Sequence, residues 1–403
     1  GIPGTASLAM AMLDEGTKTR TSIGISDELA SLGANLSAGS GLDMSGVTLE
    51  ALKERLDPSL AVFADVVLNP SFPRADFERL KRQRIAQIQQ EKADPVGMAL
   101  RVFPGLLYGE GHAYATPWTG SGTEESTARI TRDHLVKFHR TWFKPNNATL
   151  IVVGATTMAE IRPKLERAFA GWAAGEVPTK NIGKVEQQTR STVYLLDRPE
   201  AIQSLVLVGN LAPPKANPDE PAIEAMNLVL GGSFLARINM NLREDKHWSY
   251  GAFTFFRDAK GQRPFLAYAP VQTDKTKEAL IELRQELRGI LTDRPPTAEE
   301  LARAKSELTL TLPGTWETMD AISGSLADIV TFGLDERYYD TYDDRVQAQT
   351  VESVSAAAKA VIHPERLVWV VVGDRSKIEA GIRELNLGEI RFIDADGKPI
   401  GAT

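Results

Sequence analysis

The sequence contains no cysteine. Disulfides and thiolate chemistry are excluded, and the compartment stays open, because a cysteine-free chain suits oxidising and reducing spaces alike. No apolar run approaches the roughly 20 residues needed to span a bilayer. Positive charge is in deficit: 46 Lys and Arg stand against 53 Asp and Glu, a net charge of −7. That balance argues against a nucleic-acid or anionic-membrane surface, which needs a basic patch. Histidine is scarce, with His112, His134, His139, His247 and His363 making up all 5. No two stand at i, i+4. His134 and His139 share a helix but point about 140° apart, poorly placed to hold one metal. Each is expected to be exposed or satisfied by a neighbour. There is no P-loop, and Gly39-Ser40-Gly41 and Gly231-Gly232 are too weak for a nucleotide site. No G-x-S-x-G elbow occurs. No charged segment followed by an apolar one opens the chain. Taken alone, the side chains offer no complete catalytic set.

What is present is an ordinary globular composition, 42% hydrophobic and 25% charged, over 403 residues. That length predicts two or more domains. Helices are expected at 7–13, 26–32, 58–68, 77–93, 131–142 and 158–172, with a short apolar one at 98–107 interrupted by Pro104. A hairpin is expected at 36–52 and a buried strand at 149–153. Residues 177–190, with Pro178 and Gly183 and no apolar periodicity, read as a linker between domains 1–176 and 191–403. Beyond it come strands at 193–196, 204–208, 265–271 and 367–372, separated by helices, the last at 378–385. Strands and helices do not alternate as a βαβ series. The fold class is therefore α+β with mostly antiparallel sheets. A helix, Lys144-Pro145, the TLIVV strand and Gly154 are echoed by a helix, His363-Pro364, a strand and Gly373 in the same order and spacing. This internal repeat implies two domains of similar fold.

The stretch from Gly231 to Phe256 organises the second domain. It reads as a Gly-Gly turn, a helix N-capped by Ser233 with Phe234, Leu235, Ile238 and Leu242 on one apolar face, and a strand from Trp248 to Phe256. Arg243 falls near the helix end and Tyr250 near the strand start, where two side chains can converge. Their bland roles are a solvated charge at a helix C-terminus and a packed ring with a wet hydroxyl.

Five segments carry a resemblance: ASLAMAMLDEGTKTR (6–20), LYGEGHAYATPWTGS (107–121), FKPNNATLIVVGA (143–155), DRPEAIQSLVLVGN (197–210) and LGGSFLARINMNLREDKHWSYG (230–251). Over essentially its whole length the chain resembles the pitrilysin/insulinase family of zinc peptidases, whose active members carry an inverted H-x-x-E-H helix. The resemblance implies that each domain is a mostly antiparallel sheet packed with helices, and that the two form half of a clamshell. Counting back from Gly16-Thr17, it puts Ser7 and Ala11 where the ligand histidines would be and Met10 where the glutamate base would be. Counting from Asp94-Pro95 puts Gln87 at the third ligand. All four zinc-site positions are changed to residues that assemble no zinc site. The family's other half-site is kept: Arg243 and Tyr250 match an Arg and a Tyr seven residues on that reach the substrate. Family domains also open with a hairpin before the first helix. Here Gly1 starts almost at that helix, so the first sheet is expected to lack strands.

The resemblance thus implies a non-zinc subunit that is inactive alone. It would bring Arg243 and Tyr250 to a homologous H-x-x-E-H partner, forming a heterodimeric metalloendopeptidase acting on peptides. It implies no cofactor in this chain and zinc in the partner. Periplasmic residence would follow for a bacterial protein. The alternatives are a purely structural subunit, like the core subunits of the respiratory cytochrome bc complex, and a peptide-binding homodimer.

Overall fold

A computed structural model describes residues 1–401. The chain forms two compact α+β units, one of residues 1–90 and 116–181, the other of residues 91–115 together with the chain from Ile182 onward. Between Ala168 and Thr192 there is no helix or strand.

The first unit contains α1 (Thr5–Ala11), α2 (Ser22–Leu32), β1 (Asn35–Ser40), β2 (Ser45–Glu50), α3 (Leu56–Leu68) and α4 (Arg74–Ala93). After α5 (Pro95–Tyr108), which belongs to the second unit, it resumes with α6 (Glu124–Arg129), α7 (Arg132–Trp142) and α8 (Met158–Ala168). Local signals set these ends. Thr21 caps α2 by accepting from the Gly24 amide, and Gly33, at φ 62°, closes it in the left-handed conformation. β1 and β2 form the expected antiparallel hairpin, Asn35 opposite Glu50. Leu8, Met10 and Met12 pack with Ile25, Val62, Val66 and Leu135 in one apolar cluster. The turn after α1 is tied to α3 through Asp65, whose carboxylate accepts from Thr17 (2.6 Å), Thr19 (2.9 Å), Arg20 (2.8 Å) and Asn69 (3.0 Å). Burial pushes the Asp65 carboxyl up, but these donors outweigh it and hold it below the usual carboxylate range.

His139 fastens α7 to α3. Its Nε2 lies 2.8 Å from the Val67 carbonyl, one of the acceptors left open in the last turn of α3. A carbonyl only accepts, so Nε2 carries the proton and the ring is a donor. Burial lowers the His139 pKa below the ordinary 6.5, and the Val67 bond only partly offsets this. The unfolded chain therefore takes up a proton at a higher pH than the folded one. Stability is complete above the ordinary imidazole pKa and is lost as pH falls through it toward the lower folded value. Thermal unfolding from about pH 7.5 to about pH 5 should show a smaller loss for His139→Gln, which keeps a donor but does not titrate. An identical pH profile would exclude this role.

The expected strand at 149–153 is not formed among the described residues. The segment is extended in sequence character, yet Leu150 and Val152 are 46% and 45% exposed. The second copy of the repeat supplies the physical reason. There the equivalent strand β7 (Val368–Gly373) lies between β3 (Thr192–Asp197) and β4 (Gln203–Ala212) and is hydrogen-bonded to both. In the first unit the described strands are β1 and β2, which pair with each other, so 149–153 has no described strand beside it to pair with.

The second unit continues with α9 (Glu220–Leu230), α10 (Arg237–Asn239), β5 (Phe253–Phe256), β6 (Arg263–Gln272), α11 (Thr276–Gly289) and α12 (Ala298–Leu310). It ends with α13 (Leu312–Thr315), α14 (Met319–Phe332), α15 (Tyr342–Gln347), α16 (Val351–Val361), β7, α17 (Arg375–Glu384) and β8 (Glu389–Phe392). Its six strands run β5-β6-β4-β7-β3-β8. The pairs β5/β6, β6/β4 and β4/β7 are antiparallel, whereas β3 is parallel to both β7 and β8, so the sheet is mixed though mostly antiparallel. The valine run of β7 is buried throughout, as a central strand requires. Trp369 and Phe265 on this sheet join α9, α11, α12 and α16 in the main core. α5 packs against β4 and β7, and it runs unbroken through Pro104, which the sequence marks as an interruption. Its burial outweighs the hydrogen bond that proline removes.

A buried ionic cluster fixes the start of α9. Glu220, in the first turn, accepts from Lys215 (2.9 Å), Asn217 (2.8 Å) and Arg263. Lys215 also reaches Glu224 at 2.8 Å, and Glu224 accepts from the Tyr342 hydroxyl at 2.5 Å. Burial pushes the Lys215 ammonium down, but Glu224, Glu220 and Asp258 raise it well above the usual range, so it stays charged.

Candidate functional site

α9 ends in the Gly231-Gly232 turn, and both glycines are required there. A Cβ on Gly231 would come 2.5 Å from the Thr254 amide nitrogen, and one on Gly232 would run into the Asn227 side chain and come 3.0 Å from the Asn227 carbonyl oxygen. The Thr254 amide donates to the Gly231 carbonyl at 2.9 Å, so the turn is stitched to β5. The following helix starts later than the sequence suggests. Ser233 accepts from the Leu235 amide at 3.3 Å within the turn, and the helix begins only after Ala236. Phe234 and Leu235 are consequently exposed, while Ile238 and Leu242 are buried.

The helix changes pitch after one turn. Residues Met240–Asp245 form a π-helical segment, with the Lys246 amide donating to the Asn241 carbonyl at 3.0 Å. Such segments re-aim side chains and recur at functional sites. Three side chains, none singled out by sequence, pin it down. Arg237 grips Glu300 with two bonds of 2.7 and 2.6 Å. Asn241 donates to Glu282 (2.9 Å) and Glu286 (2.8 Å). Buried Asn239 donates to the Phe234 carbonyl (2.7 Å) and accepts from the Ala252 amide (3.1 Å). Asn239 therefore ties the turn before Arg243 to the segment carrying Tyr250. Burial pushes the Glu300 carboxyl up, but the Arg237 bonds and the Thr297 backbone hold it below the usual range, so this pair remains ionic. The available signal was two asparagines, Asn239 and Asn241, set between the apolar Ile238, Met240 and Leu242.

Arg243 lies in the π segment. Its guanidinium sits 4.6 Å from the centre of the exposed Phe234 ring and 3.3 Å from the exposed Glu244 carboxylate. His247, at φ 57°, closes the helix and donates from Nδ1 to the Arg243 carbonyl at 3.1 Å. Tyr250 does not open a strand, because β5 begins only at Phe253. The stretch from Trp248 to Ala252 is irregular: Asn239 takes the Ala252 amide and Ser249 holds both the Gly251 amide (3.1 Å) and carbonyl (3.0 Å). These bonds replace a strand ladder. They hold Tyr250 outward at 88% exposure, its hydroxyl without a hydrogen bond among the described residues. Arg243 and Tyr250 make no hydrogen bond to one another there. Each is presented on a fixed backbone: the Tyr250 hydroxyl is open, and the Arg243 guanidinium has the exposed Phe234 ring and Glu244 carboxylate as its partners.

Two family profiles match the chain. "Insulinase (Peptidase family M16)" covers residues 1–102, and "Peptidase M16 inactive domain" covers residues 129–308. The chain belongs to peptidase family M16. One M16 relative, the "Non-peptidase homolog YmxG" of Helicobacter pylori, is 22% identical over 380 residues, 93% of this chain and 85% of that protein. An "Uncharacterized zinc protease" of Rickettsia bellii is 23% identical over 313 residues, 76% of this chain and 73% of that one. Among solved structures, the peptidase M16 inactive domain from Pseudomonas fluorescens superposes with a TM-score of 0.85 at 26% identity, over 93% of this chain and 89% of that one.

The M16 fold implies a zinc ion, and the residues at its place do not fit one. Ser7 Oγ is taken up by a hydrogen bond from Arg84 at 2.9 Å. Met10 is 1% exposed and packs in the apolar cluster. Ala11 carries no donor atom, and Gln87 supplies an amide where a carboxylate is required. Among the described residues no group of three or more His, Cys, Asp or Glu is placed to hold a metal. The positions that the resemblance gives to the zinc ligands thus hold no set of side chains able to bind the ion.

Proposed function

We propose that this chain is the non-zinc subunit of a two-chain M16 peptidase, lending Arg243 and Tyr250 to a homologous partner that bears H-x-x-E-H. The observation that carries this reading is the contrast between two sets of residues. The zinc positions have become core and hydrogen-bonded side chains, while Tyr250 stands open and Arg243 has only exposed partners, on a backbone held by Asn239, Asn241 and Ser249. An exposed tyrosine with no packing role has no structural reason to be held so firmly. In this arrangement Arg243 binds a peptide carbonyl, which a guanidinium does with directed donors. The Tyr250 hydroxyl donates to the carbonyl oxygen as it gains charge. The partner supplies the metal chemistry. The Helicobacter pylori relative named a non-peptidase homolog is consistent with a chain that is inactive by itself.

The test is purification of the native protein with whatever it binds, followed by mass spectrometry. A partner near equimolar, carrying H-x-x-E-H, supports the proposal. Recovery with membrane respiratory subunits would replace it with the structural reading. Recovery alone, with measurable affinity for unfolded peptides, would replace it with a peptide-binding role.

A further inference from the structure

In a zinc-bearing M16 domain the ion would join α1 to α4, because the resemblance places two ligands on the first helix and one on the second. Losing those ligands removes that cross-link, and metal ligation is a direct source of folding free energy. Yet α1 and α4 remain joined at the same residue. Arg84, one turn before Gln87 on α4, donates from one guanidinium nitrogen to Ser7 Oγ at 2.9 Å and to the Gly120 carbonyl at 3.2 Å. Gly120, at φ 73°, has its Cβ position 3.8 Å from Ser7, so the 119–121 turn lies against the same spot. One turn earlier on α4, Lys81 donates to the carbonyls of Ala128 (2.7 Å) and Ile130 (2.8 Å). The basic edge of α4 thus holds α1, the 119–121 turn and the end of α6.

We propose that Arg84 has taken the structural place of the metal in this fold, and that its charge makes the position refuse a divalent cation. A fixed guanidinium within hydrogen-bond reach of residue 7 lies next to any ion ligated there, and like charges at that separation repel strongly in a partly buried site. The inference concerns the first unit alone and does not depend on the roles of Arg243 and Tyr250.

Two measurements on the full chain test it. Arg84→Met keeps the aliphatic stem and removes the charge and donors. Its Tm should fall by about 4 °C, and that of Arg82→Met, an exposed neighbour, should not move. Equal Tm values for the two variants overturn the structural role. The second measurement restores ligands with Ser7→His, Ala11→His and Gln87→Glu, leaving core Met10 in place, and titrates zinc ion against a chromogenic chelator. Affinity should be about 100-fold tighter when Arg84→Met is added. Equal affinity with and without Arg84 overturns the exclusion, as does failure of both variants to bind, since something other than Arg84 would then be responsible.

Discussion

Tyr250→Phe in the assembled two-chain peptidase is expected to lower kcat by about 10²–10³-fold, the usual effect of removing one donor to a developing oxyanion. KM should change little, because the hydroxyl acts on charge that appears only in the transition state. Arg243→Ala should behave differently. A guanidinium that binds a substrate carbonyl contributes in the ground state as well, so KM rises along with any loss in kcat. Neither substitution should disturb the fold. Tyr250 is 88% exposed, and Arg243 has only exposed partners, so each variant should unfold within about 0.5 kcal/mol of the parent. Steady-state kinetics of the purified complex against a fluorogenic peptide decide the matter. Full activity in Arg243→Ala would remove the catalytic role altogether.

Glu220→Gln is expected to produce the largest loss of stability in the second unit, about 3–5 kcal/mol. The charge it removes is shared by Lys215 and by Arg263, whose side chain is 1% exposed. Asp258 remains for both, but it is 35% exposed and sits at the edge of the cluster. Breaking a buried ion pair on one side leaves the other charge desolvated, which is far costlier than losing a surface pair. Asp340→Asn, which removes an exposed partner of Arg337, is the matched control and should change stability by less than about 1 kcal/mol. Thermal scans should separate the two by on the order of 10 °C. Similar Tm values would mean that the cluster is dispensable. Because Glu220 begins the helix that ends in the Gly231 turn, partial loosening should also raise hydrogen exchange around Asn239.

The second unit was largely legible in its sequence. Continuous apolar runs such as VWVVV (368–372) and SLVLV (204–208) permit little else than buried strands, and caps such as Thr297 and Thr350 mark their helices. The short strand β8 escaped because EIRF alternates for only four residues and pairs solely with β3. Segment 149–153 was misjudged for the opposite reason. TLIVV has every local mark of a strand, but strand formation is decided by a neighbour and not by propensity. At the candidate site the residues were readable and their presentation was not. Arg243 and Tyr250 were identified by spacing, whereas the π segment and the Asn239, Asn241 and Ser249 bonds that carry them depend on contacts with α11 and with the chain ahead of β5. No periodicity encodes a change of helical pitch. The conversion of the metal position was half visible: substitutions at Ser7, Met10, Ala11 and Gln87 show what was removed, but only the folded chain shows Arg84 reaching across to Ser7.

The unequal fate of the two repeat copies has a consequence for time as well as shape. The amides of β7 are locked between two strands and open only when the whole sheet opens. Those of 149–153, with almost the same sequence pattern, have no described ladder to protect them. In deuterated water one motif would therefore keep two clocks within a single molecule. The copy near residue 150 would label at nearly the rate of an open chain, and the copy near residue 370 would report the global stability of its unit. A ligand or partner that supplied a strand beside Leu150 and Val152 would reveal itself by slowing the first clock and leaving the second unchanged.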